Sequence, residues 1–299
     1  MKKLRHFLSL AECSKEQIFS LLNRAAAIKR GEPGHGPDLP LSGKSVGLLF
    51  EKPSTRTRVS FDVGVYQLGG HPIFLNPRDI QLGRGEPIKD TARVLSRYLD
   101  AIVIRTFGQD VVEEFARWST IPVINALTDR SHPCQILGDL MTLQEAGVDI
   151  LTMKAAWIGD GNNVANSWIY AACKLGFPFV LACPEGYDPA VDFGCDNIKL
   201  TRDPIEAAKG ANVISTDVWA SMGQEKEAST RRKAFHGFQV NQKTLEYAGD
   251  PVYVLHCLPA HRGEEITADV MESRNSLIWN QAENRLHVQK ALLEDLIGL

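Results

Sequence analysis

Short apolar runs alternate with helix-patterned segments along this chain, and that alternation constrains its fold more than any other feature. Ser45-Val-Gly-Leu-Leu-Phe50, His71-Pro-Ile-Phe-Leu75, Ala101-Ile-Val-Ile-Arg105 and Pro122-Val-Ile-Asn125 read as strands. Ala155-Ala-Trp-Ile158, residues 179–183, 212–216 and 252–257, and Ser276-Leu-Ile-Trp279 continue the series. Helical spacing predicts helices at 14–30, from about Ser54 or Thr55, at 88–99, 110–119, 133–146, 162–175 and 204–209, and over the C-terminus. Strands that alternate with helices pair in parallel through helical crossovers. The expected class is α/β, as two doubly wound parallel-sheet domains joined by bridging helices. A length of 299 residues suits two domains. The boundary is expected near residues 130–150, with the helix after His132 as the bridge, and is set at 1–132 with the C-terminal helix 283–299 for one domain and 133–282 for the other.

A formal net charge of −3 leaves no global basic surface for nucleic acid. No apolar segment approaches the length of a membrane span, and the start of the chain lacks a signal-peptide pattern. A soluble cytoplasmic protein is expected. The six cysteines, Cys13, Cys134, Cys173, Cys183, Cys195 and Cys257, form no C-x-x-C pair and are expected to be reduced.

The chemistry-bearing residues cluster after strands. Pro53-Ser-Thr-Arg-Thr-Arg58 lies between a strand and a helix start, where unpaired N–H groups and the helix dipole favour an anion. Two guanidiniums, three hydroxyls and the nearby Lys52 exceed what capping needs, so a phosphate site is expected. Arg105 and His132-Pro-Cys-Gln135 could donate to a carbonyl oxygen and accept from an amide N–H. Separately, each has a blander reading, as an ion-pair partner or a structural histidine. Ser54, Arg105, His132, Asn163, Asp217 and Cys257 all follow predicted strand ends, the edge where open α/β sheets bind ligands. One cleft between the two domains is the expectation. Gly159-Asp-Gly-Asn-Asn-Val164, with Glu185 beyond, resembles part of a dinucleotide fingerprint but lacks its third glycine. An NAD-dependent dehydrogenase and a non-catalytic binding protein therefore stay open as alternatives. His132, His256 and His261 lack a zinc-ligand spacing, so no metal is expected.

Taken together, these motifs resemble the carbamoyltransferase superfamily, along the whole chain and in its order. Phe50-x-x-x-Ser-Thr-Arg-Thr-Arg58 and His132-Pro-x-Gln135 resemble its carbamoyl-phosphate signature. Asp217 with Ser221-Met-Gly223, and His256-Cys-Leu-Pro259, resemble the ornithine branch. The resemblance implies carbamoyl transfer from carbamoyl phosphate to the δ-amine of L-ornithine, giving L-citrulline in arginine biosynthesis, without a cofactor. It implies that Ser54, Thr55, Arg56, Thr57, Arg105, His132, Gln135 and Arg285, with the carbonyls of Cys257 and Leu258, bind carbamoyl phosphate. Gln81 would reach that ligand from a neighbouring subunit of a homotrimer. Asn163, Asp217, Ser221 and Met222 would hold ornithine, with Arg105, His132, Asp217 and Cys257 nearest the chemistry. Acetylornithine, putrescine or aspartate are the alternative acceptors within the superfamily.

Overall fold

The computed structural model describes residues 4–32, 39–76, 78, 80–81, 85–221, 223 and 225–298. The chain divides into two compact units, residues 1–141 with 283–299, and residues 142–282. The division falls between Met141 and Thr142, inside the helix after His132 and within the expected 130–150 range, nine residues beyond the 132/133 bound.

The first unit runs α1 (Lys15–Lys29), β1 (Ser45–Phe50), α2 (Thr55–Gln67), β2 (His71–Leu75), α3 (Ile88–Leu95), β3 (Ala101–Arg105), α4 (Gln109–Trp118) and β4 (Val123–Leu127), and enters α5 (Pro133–Glu145). Its sheet is parallel throughout, in the order β2-β1-β3-β4. Every residue of β3, and all of β1 but its first, is buried. Continuous burial is what a parallel strand covered on both faces requires. Leu49, Ile102 and Ile104 pack there with Val112 and Phe115 of α4. The chain leaves β1 toward β2 on one side, while β3 leads away toward β4 on the other. The adjacent C-terminal ends of β1 and β3 therefore form a topological switch point, with Phe50 opposite Arg105.

The second unit runs β5 (Ala155–Ile158), α6 (Asn163–Leu175), β6 (Phe179–Ala182), β7 (Ile198–Thr201), α7 (Pro204–Ala208), β8 (Val213–Thr216), α8 (Ala228–Ala234), α9 (Gln242–Glu246), β9 (Tyr253–His256) and α10 (Ala268–Met271). The last helix, α11 (Ile278–Ile297), begins in this unit and ends in the first. The second sheet is also parallel, in the order β7-β6-β5-β8-β9, so its switch point lies between β5 and β8.

Three expectations are corrected. Ser276–Trp279 is not a strand: Ser276 makes one bridge to Val254, and Ile278 opens α11. A four-residue apolar run fits a strand or the first turn of a helix equally well. The edge strand β7 was missed, because half-exposed Ile198-Lys-Leu-Thr201 carries no continuous apolar signal. The cysteines are not all reduced. Cys173 on α6 and Cys195 form a disulfide, with Cα atoms 5.7 Å apart, and Cys13, Cys134, Cys183 and Cys257 are free. The two partners lie 22 positions apart, and only the return of the chain beside α6 brings them together. No helix among the described residues is long and apolar enough to cross a membrane.

Candidate active site

At the first switch point, Ser54 caps α2, its hydroxyl accepting from the Thr57 N–H at 3.2 Å. The cap aims the first turn of α2 at the end of β3, where Arg105 is almost fully buried. The Arg105 carbonyl accepts from the Glu51 N–H at 2.9 Å, tying the two strand ends together. Arg285 of α11 donates through Nη2 to Thr57 Oγ1 at 2.7 Å. A Cβ on Gly138 of α5 would lie 3.1 Å from Arg285 Cγ, so a glycine lets the two helices approach here. Burial, followed by the positive charges of Arg285, Arg105 and Arg56, pushes the His132 imidazole well below its usual pKa. His132 is therefore neutral, and four residues separated by up to 229 positions are neighbours.

The turn that delivers His132 is held from below. Asn125 Nδ2 donates to Ser131 Oγ at 3.1 Å, and Thr128 Oγ1 donates to Gln109 Oε1 at 2.7 Å. Gln135, in the first turn of α5, is fully buried; its Nε2 donates to Asp139 Oδ1 at 2.9 Å. Its Oε1 has no hydrogen-bond partner among the described residues. Two cations of the expected phosphate turn are engaged elsewhere: Lys52 pairs with Asp129 and lies 4.3 Å from the Phe107 ring centroid, and Arg58 lies 3.6 Å from that of Phe74. Thr55 and Gln81 are exposed, and the Gln81 carbonyl accepts from the Glu86 N–H.

At the second switch point, Asp217 follows β8 and is almost fully buried. Its Oδ1 accepts from the Cys257 thiol at 3.0 Å and the Val218 N–H at 2.8 Å, and its Oδ2 from Asn162 Nδ2 at 2.8 Å. Asn162 also caps α6, accepting from the N–H groups of Val164 and Ala165. Asn163, next in the chain to Asn162, and Ser221, four positions after Asp217, are half-buried, whereas Met222 lies outside the described residues. Cys257 and Leu258 form the turn after β9. Leu258 has φ 61, a strained conformation for a branched side chain. Its N–H donates to His256 Nδ1 at 2.9 Å, leaving His256 Nε2 to donate to Glu265 at 3.1 Å. Trp219 does not stand exposed on its loop: it stacks on Phe235 within the second unit's core.

Among the described residues, two groups of potential metal ligands, Asp217 with His256 and Cys257, and His261 with Glu264 and Glu265, bring ligand atoms within 4.8 Å of one another. Chain spacing, the basis of the no-metal expectation, had not foreshadowed either grouping.

Residues 5–145 match the family profile described as aspartate/ornithine carbamoyltransferase, carbamoyl-P binding domain, and residues 152–296 match its Asp/Orn binding domain. The chain belongs to the aspartate/ornithine carbamoyltransferase family. An ornithine carbamoyltransferase of Halorhodospira halophila is 53% identical over 98% of this chain and 99% of its own length. A relative in Pseudomonas aeruginosa, named an anabolic ornithine carbamoyltransferase, is 52% identical over 98% of this chain and 97% of its own. The solved ornithine carbamoyltransferase of Pyrococcus furiosus superposes with a TM-score of 0.91 at 48% identity, covering 99% of both chains.

Within this carbamoyltransferase, the glycine-rich turn has a structural explanation. A Cβ on Gly161 would lie 2.3 Å from the Pro189 nitrogen, so the protein's own 187–189 segment presses on the turn. Sequence reasoning took both asparagines of the turn as suited to a small zwitterion but carried only Asn163 forward as a ligand; the cap position of Asn162 after β5 was the available signal for its own role. That reasoning missed Asp160 and Arg231. Arg231 Nη1 donates to Asp160 Oδ2 and to the Trp219 carbonyl, both at 2.9 Å, joining the turn after β5 to the loop after β8. Burial raises the Asp160 pKa to about 6 despite Arg231. Nothing in the linear spacing of Asp160 and Arg231 signals that pairing.

Proposed function

We propose that this chain transfers the carbamoyl group of carbamoyl phosphate to the δ-amine of L-ornithine, releasing L-citrulline and phosphate, in the biosynthetic direction. The observation that carries this reading is the neutral, buried His132 beside Arg56, Arg105 and Arg285 at a switch point. Guanidiniums supply charge for the phosphate, while an uncharged imidazole can donate to a carbonyl oxygen.

Ser54, Thr55, Arg56, Thr57 and Arg105 hold the phosphate at the N-terminus of α2, with Arg285 completing the site through Thr57. Gln135 and the backbone carbonyls of Cys257 and Leu258 accept from the carbamoyl NH₂. Asn163, Asp217, Ser221 and Met222 hold the amino-acid end of ornithine, and Cys257 orients its δ-nitrogen. That nitrogen attacks as the neutral amine, its proton having passed to solvent. The new C–N bond forms a tetrahedral oxyanion, which Arg105, His132 and Thr57 stabilise. The bond from carbon to the phosphate oxygen then breaks, the remaining extra proton on the attacking nitrogen passes to the departing phosphate, and hydrogen phosphate leaves into the Arg56 cradle. Alignment of two substrates supplies much of the rate, and the route calls for no cofactor.

The reading includes a cytoplasmic homotrimer in which Gln81 serves a neighbouring subunit. Exposed Val59 and Tyr66 on α2, and Phe74 on the edge strand β2, support it as apolar surface for another copy. The test of function is a citrulline or phosphate-release assay with ornithine, acetylornithine, putrescine and aspartate as acceptors. Release requiring both carbamoyl phosphate and ornithine is expected. Turnover of another acceptor in place of ornithine would overturn the substrate, and light scattering that gives a monomer mass would overturn the shared site.

A further inference from the structure

Gln135 and Asp139 lie four positions apart on α5, on the same face of the helix, and both are at most 2% exposed. An ionised carboxylate only accepts hydrogen bonds, so it orders the Gln135 side chain: the NH₂ end must face Asp139, as the 2.9 Å contact has it. The other end, Oε1, is then turned away from Asp139, and it is buried without a partner among the described residues. A buried acceptor left unmatched is a cost in the free protein that an incoming N–H removes. Reversed, the same amide would present two N–H donors in that place.

We propose that Asp139 is a positioning residue that fixes the Gln135 amide with its oxygen toward the ligand, and so selects an acyl donor that carries an N–H. The inference rests on the carbamoyl-phosphate reading above and adds to it the residue that makes Gln135 an acceptor. Carbamoyl phosphate has the required NH₂. Acetyl phosphate has the same phosphate and carbonyl but offers a methyl group, and it leaves the Gln135 oxygen unmatched. Sites built around a polar contact discriminate strongly against a ligand lacking it. Asp139 acts only when ionised. Burial raises its carboxyl to about 7, opposed by the Gln135 hydrogen bond and by Arg285 of α11, so an alkaline assay isolates the ionised form.

The experiment compares wild type, Asp139→Asn, and the double variant Gln135→Glu with Asp139→Asn. In each, KM for carbamoyl phosphate and the competitive Ki of acetyl phosphate are measured at about pH 8.5, above the ordinary carboxylate range. Asparagine can donate or accept, so Asp139→Asn frees the glutamine to reverse. KM for carbamoyl phosphate should rise on the order of 10-fold while the acetyl phosphate Ki stays within about twofold, compressing the preference. In the double variant, the carboxylate introduced at position 135 can only accept, whichever way it turns, and the amide introduced at position 139 donates to it. The preference should return to within about threefold of wild type, a rescue that a purely structural role would not give. Equal changes for both ligands in Asp139→Asn, or no recovery in the double variant, would overturn the proposal. If Asp139→Asn does not fold, the double variant decides alone. Wild type that makes no citrulline would instead overturn the underlying reading.

Discussion

The two clusters sit at equivalent places in their sheets, at the switch points β1/β3 and β5/β8, yet they hold charge in opposite ways. The first gathers three guanidiniums around an imidazole that its burial, and then their field, keep neutral. Those side chains come from α2, β3 and α11, and the assembly exists only when distant segments meet. The second is built on one carboxylate, Asp217, surrounded by neutral donors from Asn162, Val218 and Cys257. A buried ion pair, Arg231 with Asp160, stands behind the site and ties down the loop that Asp217 begins. A concentrated positive field fits a phosphate with developing negative charge. A single carboxylate among neutral groups fits one ammonium.

The contrast is most exposed at Arg105. Arg105→Ala should lower kcat/KM by about 10³-fold, since a buried charge-assisted contact to the transition state is lost. Steady-state phosphate release checks it, and near-normal activity would remove the first cluster from the chemistry.

Arg231→Met probes the scaffold of the second. Breaking a buried ion pair should cost about 3 kcal/mol in urea unfolding at neutral pH. The sign of its pH dependence follows from Asp160. A carboxyl raised to about 6 in the folded protein contributes stability that is full below its unfolded value and lost as pH rises through 6. Without Arg231 that pKa rises further. The deficit should therefore be largest at alkaline pH, shrink as pH falls toward 6, and level off below about 5, where Asp160 is protonated with or without Arg231. A deficit independent of pH would mean Asp160 is not its source.

Asp217→Asn should raise the ornithine KM roughly 30-fold, the scale of a hydrogen bond to a charged group, and leave carbamoyl-phosphate binding within about twofold. Equal loss for both ligands would erase the distinction between clusters. Cys173→Ser makes the smallest change. The disulfide lies ten residues along α6 from Asn163, about 15 Å of helix, and kcat/KM should stay within about twofold. A larger drop would bring the disulfide into the function of the Asn162 turn.

Most of the fold was legible because buried parallel strands are continuous apolar runs, as in Leu48-Leu-Phe50 and Ile102-Val-Ile104. Legibility failed where burial was partial or the run short: β7 was overlooked, and Ser276–Trp279 was mistaken for a strand. The candidate site was legible where several of the proposed site residues share one turn, as Ser54 to Thr57 and His132 to Gln135 do. It was not legible where a single residue acts across the fold. Asn162 was hidden behind Asn163, Asp160 and Arg231 are 71 positions apart, and Asp139 looked like any polar residue one turn along a helix.

The sequence alone determined the α/β class, the two-domain length, the strand-to-helix turn capped by Ser54 and the set of polar residues at strand ends, because periodicity and turn chemistry are local properties. Tertiary structure decided which of those residues meet. It directed Lys52 to Asp129 and Arg58 to Phe74, brought Arg285 to Thr57, and paired Cys173 with Cys195. The physical reason is burial. A charge or an amide taken out of water must find its partner in whatever the fold places beside it, and that neighbour is not written in the adjacent sequence.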